Sequence, residues 1–112
     1  MTLKEKRILF SRLFAEHCVW LTSMGQTYAI DEVTERITTK DPNSDHMKNS
    51  LHHLGLAGDL IFYDEDGSYL TQTEAHEYSG QVWEKRHELC RWGGRFRIGD
   101  GGHYSLEREG IR

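Results

Sequence analysis

Residues 56–63 read Leu56-Ala57-Gly58-Asp59-Leu60-Ile61-Phe62-Tyr63. Every position but Gly58 and Asp59 is apolar, a run that suits a strand buried on both faces. An ionised aspartate inside such a strand is costly unless it is paired or ligates a metal, so Asp59 is the first residue that needs a reason. Directly after the run, Asp64-Glu65-Asp66-Gly67 reads as a tight turn into a partner strand over residues 68–70. Thr71 and Glu74 then make a Thr-x-x-Glu capping box, which predicts a helix to about Leu89 with the stripe Ala75, Tyr78, Val82 and Leu89. Five of the eleven glycines fall between Gly93 and Gly102, a dense loop. Beyond it residues 103–107 alternate as a strand, with His103, Ser105 and Glu107 on one face and Tyr104 and Leu106 on the other.

Toward the N-terminus, residues 3–24 place Phe10, Leu13, Phe14, His17 or Cys18, and Leu21 at helical spacing, and Gly25 supplies a stop. Residues 26–30 suit a short extended piece. Asp31 can cap a brief helical turn over residues 32–37, and residues 38–49, polar and holding Pro42, read as a loop. The predicted fold class is α+β: two main helices on a small antiparallel sheet, with any metal site at the sheet's edge or in its groove, in one domain over residues 1–112.

The composition narrows the function. The 112 residues carry a net charge of −4, without the basic field that drives nucleic-acid or anionic-membrane binding. Aromatic content of 11% argues against a disordered coil. Cys18 and Cys90 form no Cys-x-x-Cys pair, which excludes a zinc ribbon and a disulfide framework. The apolar run after Lys4, Lys6 and Arg7 is cut by Ser11 and Arg12, too early for a signal peptide or a membrane span. Cytoplasmic synthesis and no stable membrane insertion are therefore expected.

Seven histidines in so short a chain hint at a metal. A catalytic zinc takes about three nitrogen or oxygen ligands and keeps one open position. His52 and Asp59, flanking the start of the apolar strand, and His103, at the mouth of the last one, form a candidate set. A lone histidine is more often a surface or core residue, so spacing alone leaves the set a candidate. Neighbours on an extended chain face opposite ways, so only one of His52 and His53 can share the site.

The local pattern is more specific. Ser50-Leu51-His52-His53-Leu54-Gly55-Leu56-Ala57-Gly58-Asp59 is followed downstream by Trp92-Gly93-Gly94 and Asp100-Gly101-Gly102-His103. This resembles the zinc peptidases of the D-alanyl-D-alanine carboxypeptidase and L-alanyl-D-glutamate endopeptidase family, whose signature is Ser-x-His-x-x-Gly-x-Ala-x-Asp, a Trp-Gly-Gly turn and an acidic-x-x-His. Every fixed position is filled, and the likeness runs from about Phe10 to Ile111. The ending over residues 92–107 looks most like that of the short members found in bacteriophages and prophages.

The resemblance implies the zinc peptidase fold shared by Hedgehog-type and DD-peptidase domains, with His52, Asp59 and His103 as Zn²⁺ ligands and Asp100 as the general acid/base. It implies a wall-degrading peptidase whose substrate is the peptide stem of peptidoglycan, acting at the cell wall once released from the host cytoplasm. L-Ala–D-Glu cleavage is favoured over D-Ala–D-Ala carboxypeptidase activity, and a monomer is expected. Arg36 matches the family's oxyanion-binding arginine more loosely, against the reading of a solvated helix-surface residue. Ser50 either orients a ligand or substrate or simply leads into the strand, and Trp92 is a core or cleft-wall aromatic that can also line the substrate groove. Glu107, on the His103 face, is a weaker rival for the catalytic carboxylate. His17, His46, His76 and His87 are read as structural or surface positions. Gly58 departs from the family's usual Val or Ile, which would leave Asp59 less rigidly held and open space beside the metal. The non-enzyme alternatives are a zinc-stabilised binding module on the same scaffold and a phage structural or host-interaction protein.

Overall fold

Thr2 starts the first helix with a reciprocal capping box: its hydroxyl accepts from the Glu5 N–H at 3.1 Å, and the Glu5 carboxylate accepts from the Thr2 N–H at 3.0 Å. In the computed structural model, which describes residues 1–32 and 51–112, that helix, α1, runs Leu3–Ser23. Its buried stripe is Leu9, Phe10, Leu13, Phe14, His17 and Leu21, at the predicted spacing. Gly25, at φ 79°, turns the chain out of the helix into β1, Thr27–Glu32. Asp31 and Glu32 continue this strand instead of capping a helical turn. The rest of that expected turn and the loop over residues 38–49 lie outside the described residues.

The apolar run forms β2, Ala57–Tyr63. Its burial alternates beyond Gly58, with Leu60 and Phe62 buried and Asp59, Ile61 and Tyr63 partly exposed, so one face is packed more fully than the other. The acidic turn leads into the short β3, Tyr69–Leu70: Asp64 Oδ1 accepts from the Asp66 and Ser68 N–H groups, both at 3.0 Å, and Gly67 sits at φ 89°.

The second helix departs from expectation at both ends and in its face. The predicted capping box does not form; a 3₁₀ turn over Thr73–His76 leads into α2, Glu77–Arg86, and its first cap, Gln72, makes no side-chain bond. Ala75 and Tyr78 are exposed, and the buried line is His76, Ser79, Gly80 and Trp83. The apolar-only template missed this face because two of its members are polar residues satisfied by hydrogen bonds, and a third is a glycine under an indole. Between the second helix and the expected glycine loop the chain makes β4, Cys90–Trp92, and the loop itself opens with a 3₁₀ turn, Gly93–Arg95, before β5, His103–Leu106.

The sheet order is β1-β2-β5-β4, with β3 on β2, and among the described residues each neighbouring pair is antiparallel. This is an α+β arrangement of a small antiparallel sheet and two helices. Gly58 faces the Phe14 ring of α1, and Tyr104 of β5 lies 5.3 Å from the His17 ring, so the helices pack on the Gly58–Tyr104 face. Phe10 and Phe14 stack at 5.3 Å, and Trp83 meets both edge-on. Strand alternation then turns Asp59 and His103 to the opposite face.

Candidate metal centre

Asp59 and His103 are direct cross-strand partners in the β2–β5 ladder, so backbone pairing alone brings the two side chains together. His52 arrives from the turn over residues 51–55, which closes through the Leu56 N–H to the Leu51 carbonyl at 2.8 Å. Arg7 of α1 fixes this turn by donating from Nε to the Leu54 carbonyl at 2.6 Å.

His52 Nε2 stands 3.2 Å from Asp59 Oδ1 and His103 Nδ1 stands 3.5 Å from the same oxygen. Neither approach has hydrogen-bond geometry, and Oδ1, though buried, satisfies no hydrogen bond; His103 Nε2 is likewise buried without one. Ligand atoms at zinc bond lengths of ~2.0–2.1 Å in a tetrahedron stand about 3.3 Å apart, so both separations match tetrahedral edges. One ligand atom from each of the three residues lies within 4.8 Å of the others, and among the described residues this is the one group of its kind. His52 and His103 are 2% and 7% exposed. The buried group of His52, Asp59 and His103 can therefore hold a metal ion. Burial by itself would raise the Asp59 carboxyl, but the facing imidazoles of His103 and His52 outweigh it and hold it down at about 2.

Asp100 sits at the exposed end of the glycine loop. Its N–H donates to the Gly93 carbonyl at 2.9 Å, and its carbonyl accepts from the His103 N–H at 3.1 Å, which ties the residue to the strand bearing a candidate ligand. Gly93 is required here, because a Cβ would collide with the Asp100 carbonyl oxygen and approach His103 Cβ to 2.7 Å. Asp59 and Asp100 both line a cleft of about 190 Å³.

Trp92 is 4% exposed, lies on the helix-facing side of the sheet against Gly80 and Gly94, and does not line that cleft. Its indole N–H donates to the Gly101 carbonyl at 2.7 Å, so its contribution is to hold the loop between Asp100 and His103. Glu107 is turned to Arg91 at 3.1 Å and Arg112 at 3.3 Å and does not line the cleft. The space expected beside Gly58 is filled by Phe14, so the glycine tightens the packing behind Asp59. Arg36, Ser50 and His46 lie outside the described residues. His53 is half-buried.

Sequence reasoning missed the buried polar chain behind the site. Arg86 Nε donates to His17 Nδ1 at 2.8 Å, His17 Nε2 meets Ser79 Oγ at 2.8 Å, the Tyr104 hydroxyl donates to Ser79 Oγ at 2.9 Å, and His76 Nδ1 lies 2.7 Å from that hydroxyl. The available signal was the helical spacing of His76, Ser79 and Trp83. No family model matches the chain, and a search of curated proteins finds no match.

Proposed function

We propose that the chain is a zinc-dependent peptidase that hydrolyses amide bonds in the peptide stem of bacterial peptidoglycan, with the L-Ala–D-Glu bond as the favoured target. The observation that carries this reading is the convergence of two imidazoles on one carboxylate oxygen, each at the spacing of a tetrahedral edge, beside a polar cleft. A structural zinc normally closes its fourth position with a protein ligand, whereas the three ligands found among the described residues leave it open. The motif resemblance to the carboxypeptidase and endopeptidase family supplies the substrate class.

A zinc ion bound by the three residues would supply Lewis acidity, bringing the pKa of water toward neutrality and polarising the substrate carbonyl. In this reading the Asp100 carboxylate takes the proton from water as its oxygen bonds to the amide carbon. It returns that proton to the nitrogen when the C–N bond breaks. Arg36 is assigned to the oxyanion that develops between these steps, by charge-assisted donation.

Metal analysis of the purified protein and digestion of bacterial walls, with and without chelator, test the proposal. We expect bound zinc, chelator-sensitive release of muropeptides, and neither in His103→Ala. Asp100→Ala should retain the metal and lose about 10²–10⁴-fold in kcat, the usual worth of a general acid/base. Full activity in His103→Ala would overturn the metal role, and a metal-free Asp100→Ala protein would overturn the division of labour. Mass spectrometry of the released fragments identifies the bond: new D-Glu amino termini mark the endopeptidase, and free D-Ala the carboxypeptidase.

A further inference from the structure

The 3₁₀ turn Gly93–Arg95 sends two neighbouring side chains to different tasks. Arg95 lies over the Trp92 indole at 5.3 Å and pairs with Glu84 of α2 at 3.1 Å. Phe96 turns instead to the metal centre, its ring 5.2 Å from that of His103 and tilted by 51°. One acceptor fixes the segment that follows: the Gly93 carbonyl takes the Phe96 N–H at 3.1 Å and the Asp100 N–H at 2.9 Å. Phe96 is half-buried and belongs neither to the core nor to the apolar residues packed against it, so filling the core does not explain where its ring sits.

A histidine that ligates a metal ordinarily donates its other ring N–H to a carboxylate, a carbonyl or water, which fixes the plane of the ring. His103 turns Nδ1 to Asp59 Oδ1 at 3.5 Å, and its buried Nε2 meets no hydrogen-bond partner among the described residues. Two rings border this imidazole: Phe96, and His52 edge-on at 5.1 Å. His52 is itself a candidate ligand, which leaves Phe96 as the support from outside the donor set. Tilted ring pairs at this separation attract and have a preferred geometry, and an aromatic face is a weak acceptor for an N–H.

We infer that Phe96 is a positioning residue for the metal centre: its ring holds the His103 imidazole in the orientation that presents Nδ1 to the ion, where other sites use a hydrogen-bonded oxygen. The inference rests on the reading of His52, Asp59 and His103 as metal ligands and is independent of the peptide substrate.

Zinc titration and thermal unfolding of the full chain test it with two variants. Phe96→Leu keeps apolar bulk and removes the ring, whereas Phe96→Tyr keeps the ring. Phe96→Leu should weaken the zinc Kd about tenfold, the lower end of the cost of losing an outer partner of a ligand. Phe96→Tyr should keep the Kd of the unaltered protein. The visible absorption bands of the cobalt-loaded protein, which follow ligand geometry, should move in Phe96→Leu alone. An unchanged Kd or an unchanged cobalt spectrum in Phe96→Leu overturns the inference, as does an equal loss in Phe96→Tyr. A lower zinc-free Tm in Phe96→Leu with the zinc Kd retained would make Phe96 a folding residue and overturns it as well. Absence of zinc uptake by the unaltered protein overturns the metal centre itself, and the inference with it.

Discussion

At Gly58 a Cβ would stand 2.7 Å from Phe14 Cζ and 2.8 Å from Cε2, closer than packed atoms tolerate. Gly58→Ala should therefore destabilise the protein by about 1–3 kcal/mol, the usual cost of overpacking. Phe14→Leu in the same chain should recover part of that loss, so the two changes will not add. Chemical denaturation of the single and double variants checks this, and a neutral Gly58→Ala would contradict it. The position also shows the limit of sequence reading. His52 and Asp59 were legible because they share one short pattern, and His103 because it ends a second, downstream pattern, Asp100-Gly101-Gly102-His103, of the same resemblance. The tenant of the space beside Gly58 comes from a helix more than forty positions earlier, and no local pattern encodes that meeting.

Among the elements, α1 was readable because its apolar stripe follows one period, and β2 because its run is continuous. The face of the second helix was read only in part: Val82 and Leu89 are half-buried but Ala75 and Tyr78 are exposed, since His76, Ser79 and Gly80 are core residues by virtue of what they touch and not of their hydropathy. The polar chain through this helix makes stability pH-dependent. Burial, reinforced by the nearby charge of Arg86, pushes His17 down to about 3, and burial pushes His76 down to about 4. Both rings stay neutral in the folded protein, while in the unfolded chain they take up protons below about pH 6.5. The unfolded state then binds more protons, so stability is complete above that pH and falls as the pH drops toward the folded values. Each ring should contribute a slope of up to about 1.4 kcal/mol per pH unit in that window. Urea unfolding between about pH 7 and about pH 5, above the range where ordinary carboxylates titrate, measures the slope, and His76→Gln should remove its share. A stability that does not change over this range would refute the neutral burial of the two rings.

For the molecule as a whole, the candidate ligands come from the turn over residues 51–55, β2 and β5, so an ion bound there would add a brace between that turn and two strands already joined by their ladder. Zinc at about one hundred times its Kd should add ~2.7 kcal/mol to folding stability, seen as a rise of several degrees in Tm. Asp59→Ala should abolish the zinc-dependent rise, and an equal rise in that variant would place the ion elsewhere. The antiparallel α+β arrangement was legible from the order of patterns along the chain. The ladder that joins β5 to β2 was not, because strand pairing across more than forty residues depends on the whole core closing at once.

The facing of Asp59 and His103 makes ion uptake a readout of folding fidelity. A slip of one residue between β2 and β5 would turn one of the two side chains to the helix face and dismantle the donor set. Only chains whose strands have closed in the native alignment would then retain the ion. In a refolding mixture, the zinc held after gel filtration would count the correctly paired molecules, and misaligned ones would be left without that brace and open to proteolysis.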